Sequence, residues 1–266
     1  MHGPAARSCI PHGLLPSLAV TAFRRHSGDI DEHRRIGLSR IQDDQQLAAV
    51  YDVIHRRRDV RSEFSGGPAA PAVLRRILAA GHAAPSVGMS QPWDFIVVED
   101  LAVRREFRDH VLGERSSFAD SLEDERSERF AGIRIEGVVS SSVGVVVTYD
   151  QERAAPAVLG RHTIPETGLY SVCLAIQNIW LAATAEGWGL GWVSFYRETV
   201  LADLLGLPHE IRPVAWLCLG PVTRLADAPD LERAGWRARR PLSDAVHDGR
   251  WGAGPPAGFE PADDGR

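Results

Sequence analysis

Apolar positions take up helical spacing from Gln46 onward, where Leu47, Val50, Tyr51 and Ile54 share one face and predict a helix reaching about Arg57. Gly66-Gly67-Pro68 interrupts that pattern. Pro71 then opens a second predicted helix whose apolar face is Val73, Leu74, Ile77 and Leu78. Residues 81–91 are rich in Gly, Pro and Ser and read as a loop, and Phe95-Ile96-Val97-Val98 is a short apolar run of the kind a buried strand shows. Residues 101–131 are charged and helical in composition with a sparse apolar stripe, which fits a mobile cover over a site or an exposed helix pair equally. A second strand is expected at 143–148, a long connection at 151–167, and a helix at 168–186 that is apolar nearly all round and therefore central to the core. Gly187 and Gly189 end that helix. Strands at 190–195 and 214–219, with a short helix at 200–205 between them, complete the pattern.

Helices and strands alternate without a regular βαβ count, and no segment repeats, so one α/β or α+β domain is expected over residues 45–242. Residues 1–44 lack periodicity and are read as a disordered or non-native extension; residues 243–266, polar and rich in Gly and Pro, are read as a disordered tail. A chain of 266 residues can bury a sizeable core. Its net charge of −5 argues against a nucleic-acid partner, which calls for a basic face. Cys9, Cys173 and Cys218 are scattered, with no CxxC and no metal-ligand spacing; a reducing, cytoplasmic setting without disulfides and without a metal is expected. The apolar stretch at 172–185 carries Gln177 and Asn178 and is read as too short to span a bilayer, so no membrane partner is expected. Residues 13–20 look faintly like a signal core, but Pro16 and the following Arg24-Arg25-His26 argue against one.

Four segments carry candidate chemistry. Arg57-Arg58-Asp59-Val60-Arg61 packs three guanidinium groups around one carboxylate. Arginine forks suit a phosphate bidentately, and flanking cations favour the ionised acid, so a phosphorylated ligand beside a poised base is one reading; a solvated charge run is the other. Ala84-Pro85-Ser86-Val87-Gly88-Met89-Ser90-Gln91-Pro92-Trp93 offers a glycine for close backbone approach and hydrogen bonds from Ser86 and Gln91, or is an ordinary surface turn. Gly189-Leu190-Gly191-Trp192-Val193-Ser194 could leave room for an aromatic ring with Ser194 bonding to it, or be a core strand. Gly235-Trp236-Arg237-Ala238-Arg239-Arg240 could reach a phosphate with alternate arginines, or be a basic tail. No Gly-rich dinucleotide or Walker-type loop is present.

The order of these motifs, RRDVR, PSVGxxQPW, a helix with Gln-Asn, GWVS and GWRxRxPL, resembles the 5,6-dimethylbenzimidazole synthase family of nitroreductase-like flavoproteins over about residues 50–242. General nitroreductases usually carry a serine where this chain has Asp59, so the pairing of Asp59 with Ser194 is the discriminating feature. The resemblance implies an α+β nitroreductase-like fold, a mixed sheet flanked by helices, and an intertwined homodimer with flavin at the subunit interface. It implies FMN phosphate and ribityl contacts from Arg57, Arg58 and Arg61, with Asp59 and Val60 in the same clamp and Arg237 and Arg239 completing it. Ser86, Val87, Gly88 and Gln91 would border the ring, and Trp192, Val193 and Ser194 its other edge, with 101–131 as a lid; residues 161–168 stay unassigned.

The activity implied is an oxygen-dependent fragmentation of reduced FMN to 5,6-dimethylbenzimidazole and erythrose 4-phosphate, in the service of cobalamin lower-ligand synthesis. Dioxygen is then the co-substrate, and NAD(P)H enters only through a separate flavin reductase as a transient partner. Asp59 would be the base at the ribityl carbon, and Ser194 would orient the flavin or relay a proton. An NAD(P)H-dependent nitroreductase or flavin reductase that keeps its FMN is the alternative, and a flavin-storage protein a third reading.

Overall fold

The computed structural model describes residues 44–154 and 156–259, so the expectation for the first 43 residues, Cys9 included, lies outside the described part. A unit boundary falls at Ala48/Ala49, and the sheet and both cores belong to Ala49–Arg266.

Four strands form one sheet: β1 (Phe95–Val98), β2 (Val143–Asp150), β3 (Trp188–Val193) and β4 (Ile211–Pro221), in the order β1-β2-β4-β3. Every pairing between them is antiparallel. The parallel element of the expected mixed sheet is confined to one bridge, Asp59 beside Leu190, on the free edge of β3. The β2–β4 register shifts between Val147 and Thr148, where Thr148 faces Pro213; proline has no N–H for the ladder, and a bulge absorbs the mismatch.

Both faces of the sheet are covered, which is why β2 reads as an unbroken apolar run. On one face α2 (Pro71–His82) and α5 (Thr167–Ala185) pack Leu74, Ile77, Val172, Ile176 and Ile179 against Val145, Val147 and Leu217. Gly81 lets these two helices close up, since a Cβ there would lie 2.5 Å from the Ile179 side chain. On the other face α3 (Leu101–Asp120), α4 (Asp124–Ala131) and α6 (Glu198–Leu205) bury Phe107, Val111, Phe130 and Leu201 over Val146 and Trp216. Phe107 stacks on Trp216 with centroids 4.0 Å apart. Burying one such side chain stabilises the fold by about 1.5–3 kcal/mol. Residues 101–131 are thus a helix pair, and Phe107, Val111 and Phe130 anchor it to the sheet.

Three expectations need correction. The apolar helix is longer than its 172–185 centre, and α5 is long and apolar enough by length and composition to cross a membrane. Here, however, Val172, Ala175, Ile176, Ile179 and Ala183 are fully buried against the sheet and α2, as in a soluble core helix. Strand β3 begins at Trp188 and stops at Val193, so Ser194 stands past its end. Residues 243–266, expected to be a disordered tail, carry in their described part most of a 3-10 turn (Leu242–Ala245) and a loop closed by the Asp248 N–H donating to Gly254 O at 2.9 Å. Helix α1 (Asp44–Arg56) forms as its spacing predicts, but Val50, Tyr51 and Ile54 remain exposed.

Candidate functional site

A cavity of about 670 Å³ opens beside the free edge of β3. The segment after α1 runs along that edge, with the Val60 N–H donating to Leu190 O at 2.9 Å. From there side chains take over the ladder. The Trp192 N–H donates to Asp59 Oδ1 at 3.0 Å, and Arg61 Nη2 donates to Trp192 O at 2.8 Å. Arg61 also grips both oxygens of Asp59. The carboxylate therefore has a fixed orientation at the cavity wall, with 44% of the side chain accessible. Burial is the strongest influence on its pKa and raises it above the ordinary carboxylate value; Arg61, the Trp192 N–H and Arg57 pull the other way and do not cancel it. The sequence suggested that the cations would dominate; the protein around the carboxyl outweighs them, although its open side tempers the shift.

The glycines of β3 serve this arrangement. A Cβ on Gly191 would lie 2.1 Å from Val60 O and 2.6 Å from Arg61 Nη1, and one on Gly189 would lie 2.5 Å from Val222 Cγ1 and 2.8 Å from Val60 Cγ2. The expected room for an aromatic ring is instead room for residues 60 and 61.

The arginines divide by what they already hold. Arg58 donates to the carbonyls of His55, Arg57 and Asp227, which ties the 226–230 segment to the end of α1; only its buried Nε lacks a partner. Arg61 is engaged by Asp59 and Trp192. Arg57 and Arg239 also line the cavity, and neither guanidinium has an ion pair or hydrogen bond among the described residues. Burial lowers the Arg57 pKa, Asp59 opposes this, and Arg58 and Arg239 lower it further. Two cavity-lining guanidinium groups whose N–H donors have no partner among the described residues offer an anion site.

Other candidates fall in different places. Ser194 lines the cavity with its hydroxyl unpartnered among the described residues. Val193 is fully buried in the second core, so its side chain does not reach a ligand, and Arg237 lies outside the cavity lining. Ser86, Val87, Gly88 and Gln91 are not in this cavity either. Ser86 Oγ accepts from the Gln91 N–H at 3.0 Å, the Val87 N–H donates to Ser171 Oγ at 3.1 Å, and Gln91 Nε2 donates to His82 O at 3.3 Å. Gly88, Met89 and Gln91 all hold positive φ (55°, 55° and 43°), unusual for Met and Gln and typical of a loop held for a purpose.

Several lining residues escaped the sequence reading, which singled out Trp236 only as part of the arginine segment. Phe118, Phe130, Phe195 and Trp236 form an aromatic wall, with Phe118 centroids 5.0 Å from Phe130 and 5.5 Å from Phe195, and Phe130 6.2 Å from Trp236. Arg126 stacks on Trp236 at 4.6 Å. Trp180 of α5, Arg134 and Glu63 also face the cavity. Burial raises Glu63, but backbone N–H groups of Ser62, Glu63 and Arg61 more than offset it, so its carboxyl sits below the ordinary value. Aromatic walls, two arginines with unpartnered N–H groups among the described residues and a fixed carboxylate in one cavity fit a flat, phosphorylated ring system such as a flavin mononucleotide. Among the described residues no group of three or more metal-ligating side chains gathers.

Residues 54–221 match the nitroreductase family model. The chain is 38% identical over 185 residues to 5,6-dimethylbenzimidazole synthase of Rhodospirillum rubrum, covering 70% of this chain and 87% of that one. It is 36% identical over 193 residues to the protein of the same name from Rhodobacter capsulatus, covering 73% and 93%. A solved iodotyrosine deiodinase bound to FMN and 3-iodo-L-tyrosine shares the fold with a TM-score of 0.57 at 20% identity, over 72% of this chain and 96% of that one.

Proposed function

The chain belongs to the nitroreductase family, and we propose that within it the protein is a 5,6-dimethylbenzimidazole synthase, fragmenting reduced FMN with dioxygen to 5,6-dimethylbenzimidazole and erythrose 4-phosphate, with the pyrimidine part of the flavin ring leaving as a separate oxidised fragment. Its likeness to relatives of that name supports the reading, and the single observation that carries it here is Asp59, a carboxylate fixed at the cavity wall by Arg61 and the Trp192 N–H.

In this reading FMN is the substrate, and its reduced ring supplies the reactivity toward oxygen. Arg57 and Arg239 hold the phosphate, and Phe118, Phe130, Phe195 and Trp236 shield the ring from water. Asp59 takes the proton from the ribityl carbon next to the ring. Its pKa, raised by the protein packed around it, makes it a stronger base than an ordinary aspartate, while Arg61 keeps its oxygens aimed. The Ser194 hydroxyl, without a partner among the described residues, bonds the ring edge and passes a proton to it. A base so placed contributes on the order of 10²–10⁴ in rate.

A second copy completes the site in this account. Val50, Tyr51 and Ile54 of α1 and Tyr170 and Leu174 of α5 are exposed apolar side chains, which an intertwined homodimer would cover. The Ser86–Gln91 loop, which does not line the cavity of its own chain, then borders the flavin of the other subunit. Sedimentation should give twice the chain mass. A separate flavin reductase supplies reduced FMN from NAD(P)H.

The test omits NAD(P)H altogether. Chemically reduced FMN is given to the protein in air, and the products are separated by chromatography. 5,6-Dimethylbenzimidazole is expected, and simple reoxidation to FMN would overturn the assignment in favour of an ordinary flavin reductase.

A further inference from the structure

We propose that Trp180 is a positioning residue that makes the cavity selective for a phosphorylated flavin, by holding the Arg57 guanidinium extended without neutralising it. The inference rests on the reading of the cavity as an FMN site.

Arg57 stands apart in its run. Arg58 is engaged by three carbonyls and Arg61 by Asp59 and Trp192, but Arg57 makes no side-chain hydrogen bond or ion pair among the described residues. A half-buried guanidinium that feels Asp59 electrostatically but makes no bond to it, with Arg58 and Arg239 also nearby, needs some source of order, or it swings out to water. Trp180 provides one. The Arg57 Cζ lies 4.8 Å from the centre of the Trp180 ring, within cation–π range, and tryptophan is the strongest partner for such a contact. The same indole donates Nε1–H to Arg58 O at 3.0 Å, which fixes the neighbouring peptide. One side chain thus holds both the backbone and the cation of the run.

The platform beneath it is rigid. Trp180 sits on α5 between Ile179 and Ala183, both fully buried, and its carbonyl accepts from Thr184 Oγ1 at 3.0 Å. The choice of an aromatic partner has a physical consequence. A carboxylate at the same place would order Arg57 but cancel its charge, and an incoming phosphate would have to displace it. An indole face orders the cation and leaves its N–H groups and its charge for the ligand, so the anion meets a preorganised partner.

The prediction separates phosphate recognition from folding. Flavin fluorescence quenching gives the affinities of FMN and of riboflavin, which lacks the phosphate, for the wild type, Trp180→Phe and Trp180→Leu; thermal unfolding shows that each variant is folded. The wild type should prefer FMN. Trp180→Leu should bind FMN about tenfold more weakly and riboflavin within about twofold of the wild type, as loss of one partly desolvated cation–π contact implies. Trp180→Phe, which keeps a weaker ring face and loses the N–H, should fall between, and carries the test alone should the leucine variant not fold. An unchanged ratio of FMN to riboflavin affinity, whether both are lost or neither, would overturn the inference and leave Trp180 a core residue. A wild type without preference for FMN would bring down the phosphate clamp itself, and the inference with it. A wild type that prefers FMN but yields no benzimidazole from it would overturn the reaction alone.

Discussion

Replacing Gly191 with alanine probes how residues 59–61 are held. The added Cβ would lie 2.1 Å from the Val60 carbonyl oxygen, whereas a carbon and an oxygen in contact stand about 3.3 Å apart. The obstacle is backbone, so the segment must move off β3 by roughly 1 Å rather than rotate a side chain aside. Three bonds stretch when it does: Val60 N–H to Leu190 O at 2.9 Å, Trp192 N–H to Asp59 at 3.0 Å, and Arg61 to Trp192 O at 2.8 Å. At about 1 kcal/mol for the neutral bond and 1.5 or more for each charged one, partly lost, the expected destabilisation is about 2–3 kcal/mol. The larger effect falls on turnover, because a displacement of that size at a reacting group can lower the rate about 10²-fold. Urea unfolding and product formation from reduced FMN in air measure the two effects. Gly113→Ala is the control: it lies in α3 with nothing near its Cβ, and it should stabilise the protein by about 0.5–1 kcal/mol with turnover unchanged. If Gly191→Ala instead weakens flavin binding while bound flavin turns over at the normal rate, the glycine clears space for the ring and the reasoning fails.

Two further outcomes follow from groups already described. Arg104, 3% exposed, donates to the carbonyls of Val138, Ser141 and Ser142 and has no ion pair among the described residues. Arg104→Met should strand those carbonyls and lower stability by about 3 kcal/mol or more, read by denaturant unfolding, while folded protein keeps its flavin affinity. The rate of benzimidazole formation should fall as acid protonates Asp59, and because burial raises this group, the acid limb of the pH profile should lie above the ordinary aspartate value of 3.8; a limb at or below that value would show that the Arg61 pairing prevails.

Much of the fold was legible because both faces of the sheet are covered. A buried run such as residues 143–150 and an all-round apolar helix such as α5 leave few alternatives. What periodicity does not tell is what covers a face. The stripe of α1 was plain from its spacing, yet within the chain Val50, Tyr51 and Ile54 stay in the open. In the site, Asp59, Arg57 and Ser194 were visible as residue types out of place in a core pattern. The role of Gly191 was misread, since a glycine announces a close approach but not the identity of what approaches. Trp180 was hidden because a tryptophan in an apolar helix looks like core until its N–H is seen on Arg58 O. The aromatic wall draws on α3, α4, the end of β3 and the 229–236 segment, and only the folded chain brings these together. The Ser86–Gln91 loop looked like part of one site with the arginines, but sequence order does not say whether two segments meet within a chain or between two.

The most direct test compares the wild type with Asp59→Asn after each has bound reduced FMN without oxygen and is then exposed to air. The asparagine keeps the shape of the carboxylate and removes its basicity, so both proteins should hold the flavin, but only the wild type should release 5,6-dimethylbenzimidazole and erythrose 4-phosphate. Benzimidazole from the asparagine variant at the wild-type rate would contradict the central role given to this carboxylate.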